Sequence, residues 1–302
     1  MVHGMNGQGC QRDGRRLGGG VRDELGGRRP RAPDPWQRVA GTIERVTTAD
    51  DHVLARDLAE EAGRLLLDLR ARGGDADVLR KAGDRLSHEF LAAELAARRP
   101  DDAVLSEEGI DDKARLSADR VWIVDPLDGT REFGEDGRTD WAVHVALWER
   151  TAGGLTAGAV ALPAQGLVLS TADPAPAPRG YRGGPGSGPL RLVVSRSRAP
   201  QLVRDVANII GGELVRCGSA GAKAATVITG RSDAYLHAGG FYEWDTAAPV
   251  AVAVSAGFHV SRIDGSAVMY NRDNPLLPDI LVCRPAIADR LLDAIREATH
   301  AI

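Results

Sequence analysis

Asp125 and Asp128 stand three positions apart, at the end of the apolar run Val121-Trp-Ile-Val and inside the segment Asp-Pro-Leu-Asp-Gly-Thr130. Carboxylates this close repel one another unless a cation lies between them, and hard divalent cations take oxygen ligands of this type. Pro126 is expected to turn the chain, which frees the Leu127 carbonyl as a further oxygen. Gly129 and Thr130 fall where a helix would begin, and amides at a helix start cradle phosphate. Taken alone, the same residues also describe an Asx-type turn closed by a glycine. Three further acidic residues at two places in the chain weigh on that choice. Glu107 and Glu108 follow the apolar run Ala103-Val-Leu directly, and Asp245 precedes the apolar stretch that starts at Thr246. Asp101, Asp102, Asp111 and Asp112 complete an acidic stretch without a basic residue and are expected in solvated loops.

Strands and helices must bring these groups together. Val53, Leu54, Leu58, Leu65, Leu66 and Leu69 fall on one helical face from about Asp50 onward, and Gly73-Gly74 closes that helix. A second helix is expected after Asp84, with Leu86, Phe90, Leu91 and Leu95 buried and Pro100 as its stop. Short strands are read at Ala103 to Ser106, at Val121 to Asp125, at Trp141 to Trp148 and on both sides of Pro163. A Pro/Gly-rich linker covers 172–189. Beyond it strands and helices alternate: strand Leu192 to Ser195, helix from Ala199, strand near Leu214, helix from Ser219, strand Ala234 to His237, helix from Asp245. A strand near Val260, a last strand Ile280 to Cys283 and a helix from Pro285 finish the chain. Such alternation indicates α+β architecture in layered α/β packing. His144 and His237 lie in apolar runs and are expected to be packed, and Trp122, Trp141 and Trp244 to form core or site walls.

Ser106-Glu107-Glu108, Asp125-Pro-Leu-Asp-Gly-Thr130 and Trp244-Asp245-Thr-Ala-Ala, in this order and spacing, resemble the magnesium-dependent, lithium-sensitive inositol monophosphatase-like superfamily. The likeness runs from about Asp50 to the C-terminus. Arg131-Glu-Phe133 resembles the nucleotidase branch, and Gly218-Ser-Ala-Gly-Ala-Lys223 with Asp233-Ala-Tyr-Leu-His237 resembles actinobacterial CysQ-type 3′-phosphoadenosine 5′-phosphate phosphatases. Residues 1–45, rich in Gly and Arg and without an apolar period at their start, are expected to form a flexible tail, and the resemblance implies an αβαβα sandwich with two subdomains, 46–190 and 191–302. It implies two or three Mg²⁺ ions held by the carboxylates of Glu107, Asp125, Asp128 and Asp245 and the carbonyl of Leu127. Gly129 and Thr130 would hold the phosphate. Thr130, assisted by Asp84, would orient the attacking water and accept its proton, while Asp245 would hold the metal near the leaving oxygen. Asp84 departs from the family pattern: Lys81-Ala-Gly-Asp84 replaces Thr-x-Ala-Asp. Glu107, Leu127, Asp128 and Asp245 also border the substrate, and Arg131, Ser195, Ser219 and Lys223 are candidate nucleotide contacts, although ordinary loop and capping roles fit Ser195, Ser219 and Lys223 equally well.

The 302 residues carry 38 basic and 42 acidic side chains, a formal charge of −4, so bulk binding of a nucleic-acid polymer is not expected. Only Lys81, Lys113 and Lys223 are lysines, and the arginine excess is that of a GC-rich coding sequence. Cys10, Cys217 and Cys283 show neither disulfide nor zinc spacing, which fits a reducing cytoplasm. No apolar run approaches the length of a membrane span. The partner is then a small phosphorylated molecule, with a homodimer compatible. Inositol 1-phosphate and fructose 1,6-bisphosphate stay open as substrates within the resemblance, as does a non-catalytic phosphate sensor on the same fold. A haloacid-dehalogenase phosphatase would need its two aspartates at i and i+2, which Asp125 and Asp128 do not satisfy.

Overall fold

The computed structural model describes residues 50–176, 188–197 and 199–300, all within the compact unit Thr48–Ile302. The expected tail, 1–45, lies outside the described residues, as does the middle of the Pro/Gly-rich linker, 177–187. Helix α1 (Asp51–Ala71) starts where expected: the Asp50 carboxylate accepts from the His52 N–H at its first turn. Helix α2 (Ala76–Arg98) starts nine residues earlier than the apolar pattern indicates, because Asp75 caps it by accepting from the Asp77 and Val78 amides. No side chain of its first two turns is fully buried, so they carry no apolar stripe to read. Asp84 therefore lies inside the helix, not ahead of it. At Gly83 a Cβ would meet Phe133 and Leu127 at 2.8 and 2.9 Å, so this glycine lets α2 approach closely and sets Asp84 beside the Asp-Gly-Thr turn.

A first sheet is ordered β1 (Ala103–Ser106), β2 (Arg120–Asp128), β3 (Ala142–Glu149), β4 (Gly154–Leu162), β5 (Leu167–Ser170), with β1 and β2 parallel and the rest antiparallel. The second uses β6 (Arg191–Ser195), β7 (Glu213–Cys217), β8 (Ala234–Tyr242), β9 (His259–Ser261) and β10 (Leu276–Cys283) in the order β7-β6-β8-β10-β9. Helices α1 and α2 cover the outer face of the first sheet, where Leu54, Leu91, Trp122 and Val145 share a core. Between the sheets lie α5 (Ala220–Ile228) and α6 (Glu243–Ser255), packed among Val121, Ile123, Tyr235 and Ile280. On the far face α4 (Gln201–Ile210) and α7 (Pro285–His300) bury Val203, Leu236 and Leu291. The αβαβα layering implied by the resemblance is present.

Each sheet carries one irregularity that matters for the site. In β2, Asp125 pairs with His144 and Asp128 with Ala142, so Pro126 and Leu127 oppose the single residue Val143. This is a β-bulge, and Pro126 does not turn the chain but sits inside the strand where a ladder donor would be missing. Side chains three apart on a regular strand face opposite ways. The extra residue reverses the alternation: Leu127 joins Trp122 and Val124 on the α1/α2 side, and Asp125 and Asp128 both face the central helices. In the second sheet, Leu277 pairs with Phe241 and Asp279 with Ala238, so Gly239 and Gly240, at φ +145° and +86°, oppose Pro278 alone. That bulge leads directly into α6.

Candidate active site

Asp125, Asp128 and Asp245 converge so that one oxygen from each lies within 4.8 Å of the others. The first two come from the β2 bulge and the third from the first turn of α6. The helix starts at Glu243, two residues before the expected start, and the Asp245 carboxylate accepts from the Tyr242 N–H at 2.6 Å. Thus the Asp245 carboxylate both reaches back to the helix start and stands in the cluster. Asp125 is 1% exposed, and its Oδ2 has no hydrogen-bond partner. An orphaned, buried carboxylate oxygen facing two other acids is a costly arrangement without a cation. The donors are all oxygens, which suits a hard cation of the Mg²⁺ type.

The protonation tendencies record the same crowding. Burial, then repulsion from Asp128, Glu107 and Asp245, pushes the Asp125 carboxyl well above its ordinary range. Burial and the Asp128 charge raise Asp245 to about 6. Glu107, in the turn just after β1, is raised to about 7 by partial loss of water around its carboxyl, with the neighbouring acids adding to the shift and a hydrogen bond to Asp125 opposing it. Asp128 goes the other way. Burial would raise it, but His144, Lys223 and the Gly221 amide together hold it below the usual carboxylate value.

The support of Asp128 was not legible in the sequence. The N-terminal amides of α5 donate to it, Ala220 N to Oδ1 at 3.1 Å and Gly221 N to Oδ2 at 2.6 Å. A helix N-terminus favours an anion there. His144 is fully buried, as expected of a packed histidine, yet its Nε2 lies 3.1 Å from Asp128 Oδ2. Its Nδ1–H donates to the Trp244 carbonyl, and although burial alone would lower its pKa, the Asp128 charge raises it. His144 and Ala142 are the β3 partners of Asp125 and Asp128 and share their face of the sheet, a placement that only the strand register reveals. Gly221 is required at this point, since a Cβ there would run into the His144 ring.

Asp84 and Thr130 meet. Thr130 Oγ1 lies 3.1 Å from Asp84 Oδ1 and 3.0 Å from the Leu127 carbonyl. Partial burial lifts Asp84 to about 6, against the pull of the Thr130 hydrogen bond. The neighbouring Ser87, fully buried, donates to the Pro126 carbonyl at 2.6 Å and so braces the bulge from α2. Gly129 adopts φ +87° ahead of α3 (Thr130–Phe133), which lets Thr130 start a helix immediately after a strand.

The candidate nucleotide contacts are less uniform. Ser219 caps α5 by accepting from the Ala222 N–H and is buried. Lys223 is 4% exposed and donates to the Gly218 carbonyl, with its ammonium 5.4 Å from the centre of the Tyr235 ring. Arg131 is exposed and pairs with Glu135. Ser195 is half-buried at the end of β6, opposite Cys217. His237 stacks at 3.7 Å on Phe241, with an unpartnered Nε2. Of the acids expected in solvent, Asp102 and Asp111 are instead engaged: Asp102 with Arg120 and Trp122, Asp111 with Arg115. The partners of Asp102 lie 18 and 20 residues on, whereas Arg115 is only four residues beyond Asp111, just past the acidic stretch.

The family model for the inositol monophosphatase family matches residues 49–300. The chain belongs to this family. It is 51% identical over 256 residues, covering 82% of this chain and 94% of the relative, to a protein of Mycobacterium leprae named 3′-phosphoadenosine 5′-phosphate phosphatase. It is 29% identical to the 3′(2′),5′-bisphosphate nucleotidase CysQ of Escherichia coli K12, over 74% of this chain and 96% of that one. Among solved structures it resembles CysQ of Bacteroides thetaiotaomicron, described as a bacterial member of the inositol monophosphatase family, with a TM-score of 0.66 and 26% identity over 78% of this chain and 97% of that chain. The family is metal-dependent, and the Asp125, Asp128, Asp245 cluster is a group that could hold a metal ion. Among the described residues no helix is long and apolar enough to cross a membrane.

Proposed function

We propose that the protein hydrolyses 3′-phosphoadenosine 5′-phosphate, and its sulfated form, to release the 3′-phosphate and leave AMP or adenylyl sulfate, a reaction that serves sulfate assimilation. The observation that carries this reading is the bulge in β2, which turns Asp125 and Asp128 to one side and brings them to Asp245. The substrate rests on the mycobacterial relatives of that name at 51% identity, with which this chain shares most of its length.

Glu107, Asp125, Asp128, Asp245 and the Leu127 carbonyl are assigned as the ligands of two or three Mg²⁺ ions. Such ions, when bound, lower the pKa of water and neutralise charge on the phosphoryl oxygens. The chain's own residues then do the following. The main-chain amides of Gly129 and Thr130 receive phosphate oxygens at the start of α3. Thr130 Oγ1 accepts a hydrogen bond from the attacking water and passes its own proton towards Asp84, whose pKa near 6 leaves it ionised at neutral pH. Asp245 stands on the leaving-oxygen side. Asp128 stays an anion, fixed by two amides and by His144, so its charge is constant through the reaction. Arg131, Ser195, Ser219 and Lys223 are assigned to the nucleotide side; for Ser219 and Lys223 this requires leaving the bonds they make to the Ala222 amide and the Gly218 carbonyl.

The subdomain division at 190/191 and a cytoplasmic location belong to the same proposal. The location is supported by buried, unbridged Cys217 and Cys283, which need no oxidising compartment. The test is a panel of kcat/KM values for 3′-phosphoadenosine 5′-phosphate, inositol 1-phosphate and fructose 1,6-bisphosphate with Mg²⁺, repeated with Li⁺. The bisphosphate nucleotide is expected to lead and Li⁺ to inhibit. Preference for inositol 1-phosphate would overturn the substrate, and full activity in EDTA would overturn the metal site.

A further inference from the structure

Glu107 and Asp245 are contributed by segments outside β2: the Glu107 N–H still reaches the Val124 carbonyl of that strand at 3.4 Å, but the chain beyond it has left the sheet. Glu107 opens the exposed turn after β1, and Asp245 follows the glycine bulge of β8. A separate buried cluster joins these two segments. Glu243, two residues before Asp245, is 1% exposed, and its two oxygens accept from the Asn271 and Arg272 amides at 2.7 and 2.8 Å. The Glu243 N–H donates in turn to the Pro275 carbonyl at 2.8 Å, and the Tyr270 hydroxyl reaches Thr246 Oγ1 at 3.1 Å. The segment 270–275 therefore clasps the first turn of α6 on both sides of Asp245.

Asn271 has φ +57°, and it is the one non-glycine residue at positive φ among the described residues. This conformation is uncommon outside glycine and is best tolerated by Asn. It leaves the Asn271 amide on Glu243 while its side-chain oxygen accepts from Arg115 Nη1 at 2.7 Å. Arg115 is 1% exposed and spends its guanidinium in two directions. Nε and Nη2 bond the Asp111 carboxylate at 2.6 and 3.1 Å, and Nη2 also bonds the Arg272 carbonyl at 2.8 Å. Asp111 belongs to the stretch that leaves Glu107 and Glu108. Lys113 repeats the link on the surface, bridging Asp111 and Asp273. Only a planar fork with several fixed donors can hold Asp111, Asn271 and Arg272 together; an ammonium is a point charge.

We infer that Arg115 is a positioning residue for the metal site: through Asp111 on one side and Asn271–Glu243 on the other, it fixes the separation of Glu107 from Asp245. The inference rests on the proposed metal-dependent reading of the site. Arg115 is outside the cluster of facing carboxylates and acts on them only through the chain. Without it, the Glu243 carboxylate stays buried without a neighbouring cation, and the loop carrying Glu107 loses its tie to α6.

The test is direct calorimetric titration of Mg²⁺ into the full chain without substrate. Arg115→Met is expected to raise the Mg²⁺ dissociation constant by about 10- to 100-fold, the range seen when a group that orients a metal ligand is removed. At saturating Mg²⁺ its kcat should return close to wild type. Arg115→Lys, keeping charge but not the fork, should recover only part of the affinity. Asn271→Gly keeps the backbone conformation and removes the side-chain bond, so it should weaken Mg²⁺ in the same direction by less, and it decides the matter if Arg115→Met does not fold. Arg191→Met, which breaks a partly buried ion pair with Asp233 away from the site, serves as the control for stability loss alone. Wild-type Mg²⁺ affinity in Arg115→Met and Asn271→Gly, or an equal loss in Arg191→Met, overturns the inference and leaves the proposed function standing. A wild-type chain that binds no Mg²⁺ overturns both.

Discussion

The two sheets use the same device, a β-bulge with a proline at the irregularity, and use it differently. In β2 the bulge is buried: Asp125 and Leu127 are each 1% exposed, Ser87 holds the Pro126 carbonyl, and α5 holds Asp128. In β8 the bulge is two exposed glycines at positive φ, and the proline lies on the partner strand. The first places its carboxylates by packing, whereas the second delivers Asp245 from a backbone that glycine leaves soft. One half of the site is thus built into a core, and the other half depends on the clasp around Glu243.

Breaking the buried half should have the largest effect. Asp125→Asn is expected to lower kcat/KM by on the order of 10³-fold or more, as for other residues that act as a unit with the reacting group. It also relieves repulsion among buried acids, so the metal-free melting temperature should rise; phosphate release and calorimetry read the two outcomes. A variant with near wild-type turnover would remove Asp125 from the ligand set.

Gly129→Ala and Gly240→Ala compare the two settings at similar backbone angles, φ +87° and +86°. At Gly129 a Cβ would sit 2.8 Å from the Ser219 Cβ, so overpacking adds to strain and the loss should reach about 2–4 kcal/mol. At Gly240 the nearest atom is Leu276 Cδ1 at 3.7 Å, leaving strain alone, about 1 kcal/mol. Chemical denaturation of both variants tests the order; equal losses would mean that the β8 bulge is as tightly packed as the β2 bulge.

The pH dependence separates empty from loaded protein. Asp84 and Asp245 near 6 and Glu107 near 7 lie above the values they have in an unfolded chain. The metal-free folded state therefore binds more protons than the unfolded state between about pH 4 and 7, and its stability from these groups falls as pH rises through that window. Mg²⁺ must displace the protons of Glu107 and Asp245, the two of these groups assigned as its ligands. The rise in melting temperature caused by Mg²⁺ should grow from pH 5 to pH 8, as calorimetry with and without EDTA would show; a shift independent of pH would take these carboxylates out of metal binding.

The smallest effect is expected at the mouth. Arg131→Ala removes an exposed pair with Glu135, so stability should change by less than about 0.5 kcal/mol. If Arg131 meets the second phosphate, KM for the bisphosphate substrate should rise several-fold with kcat little changed.

Legibility in the sequence followed the range of the interactions. Helix α1, strand β1 and the start of α7 were read to within a residue, since caps, glycines and prolines act over a few positions. Asp125 and Asp128 suggested a cation because two acids so close at the end of an apolar run repel one another, whereas Glu107 and Asp245 joined them as expected ligands through the family resemblance. The start of α2 was missed for want of an apolar stripe. His144 was read only as core, because its nearness to Asp128 comes from strand register and from the approach of α5.

By itself the sequence determined which groups could do chemistry and where the strands and helices that carry them begin. It could not decide that Asp125 and Asp128 face the same way, since side-chain direction along β2 depends on how many residues of β3 oppose them. Nor could it show that Arg115, Asn271 and Glu243 form one cluster, or that Lys223 turns inward. Those contacts join residues distant in the chain, and only the packing of two sheets around two central helices brings them within reach of a hydrogen bond.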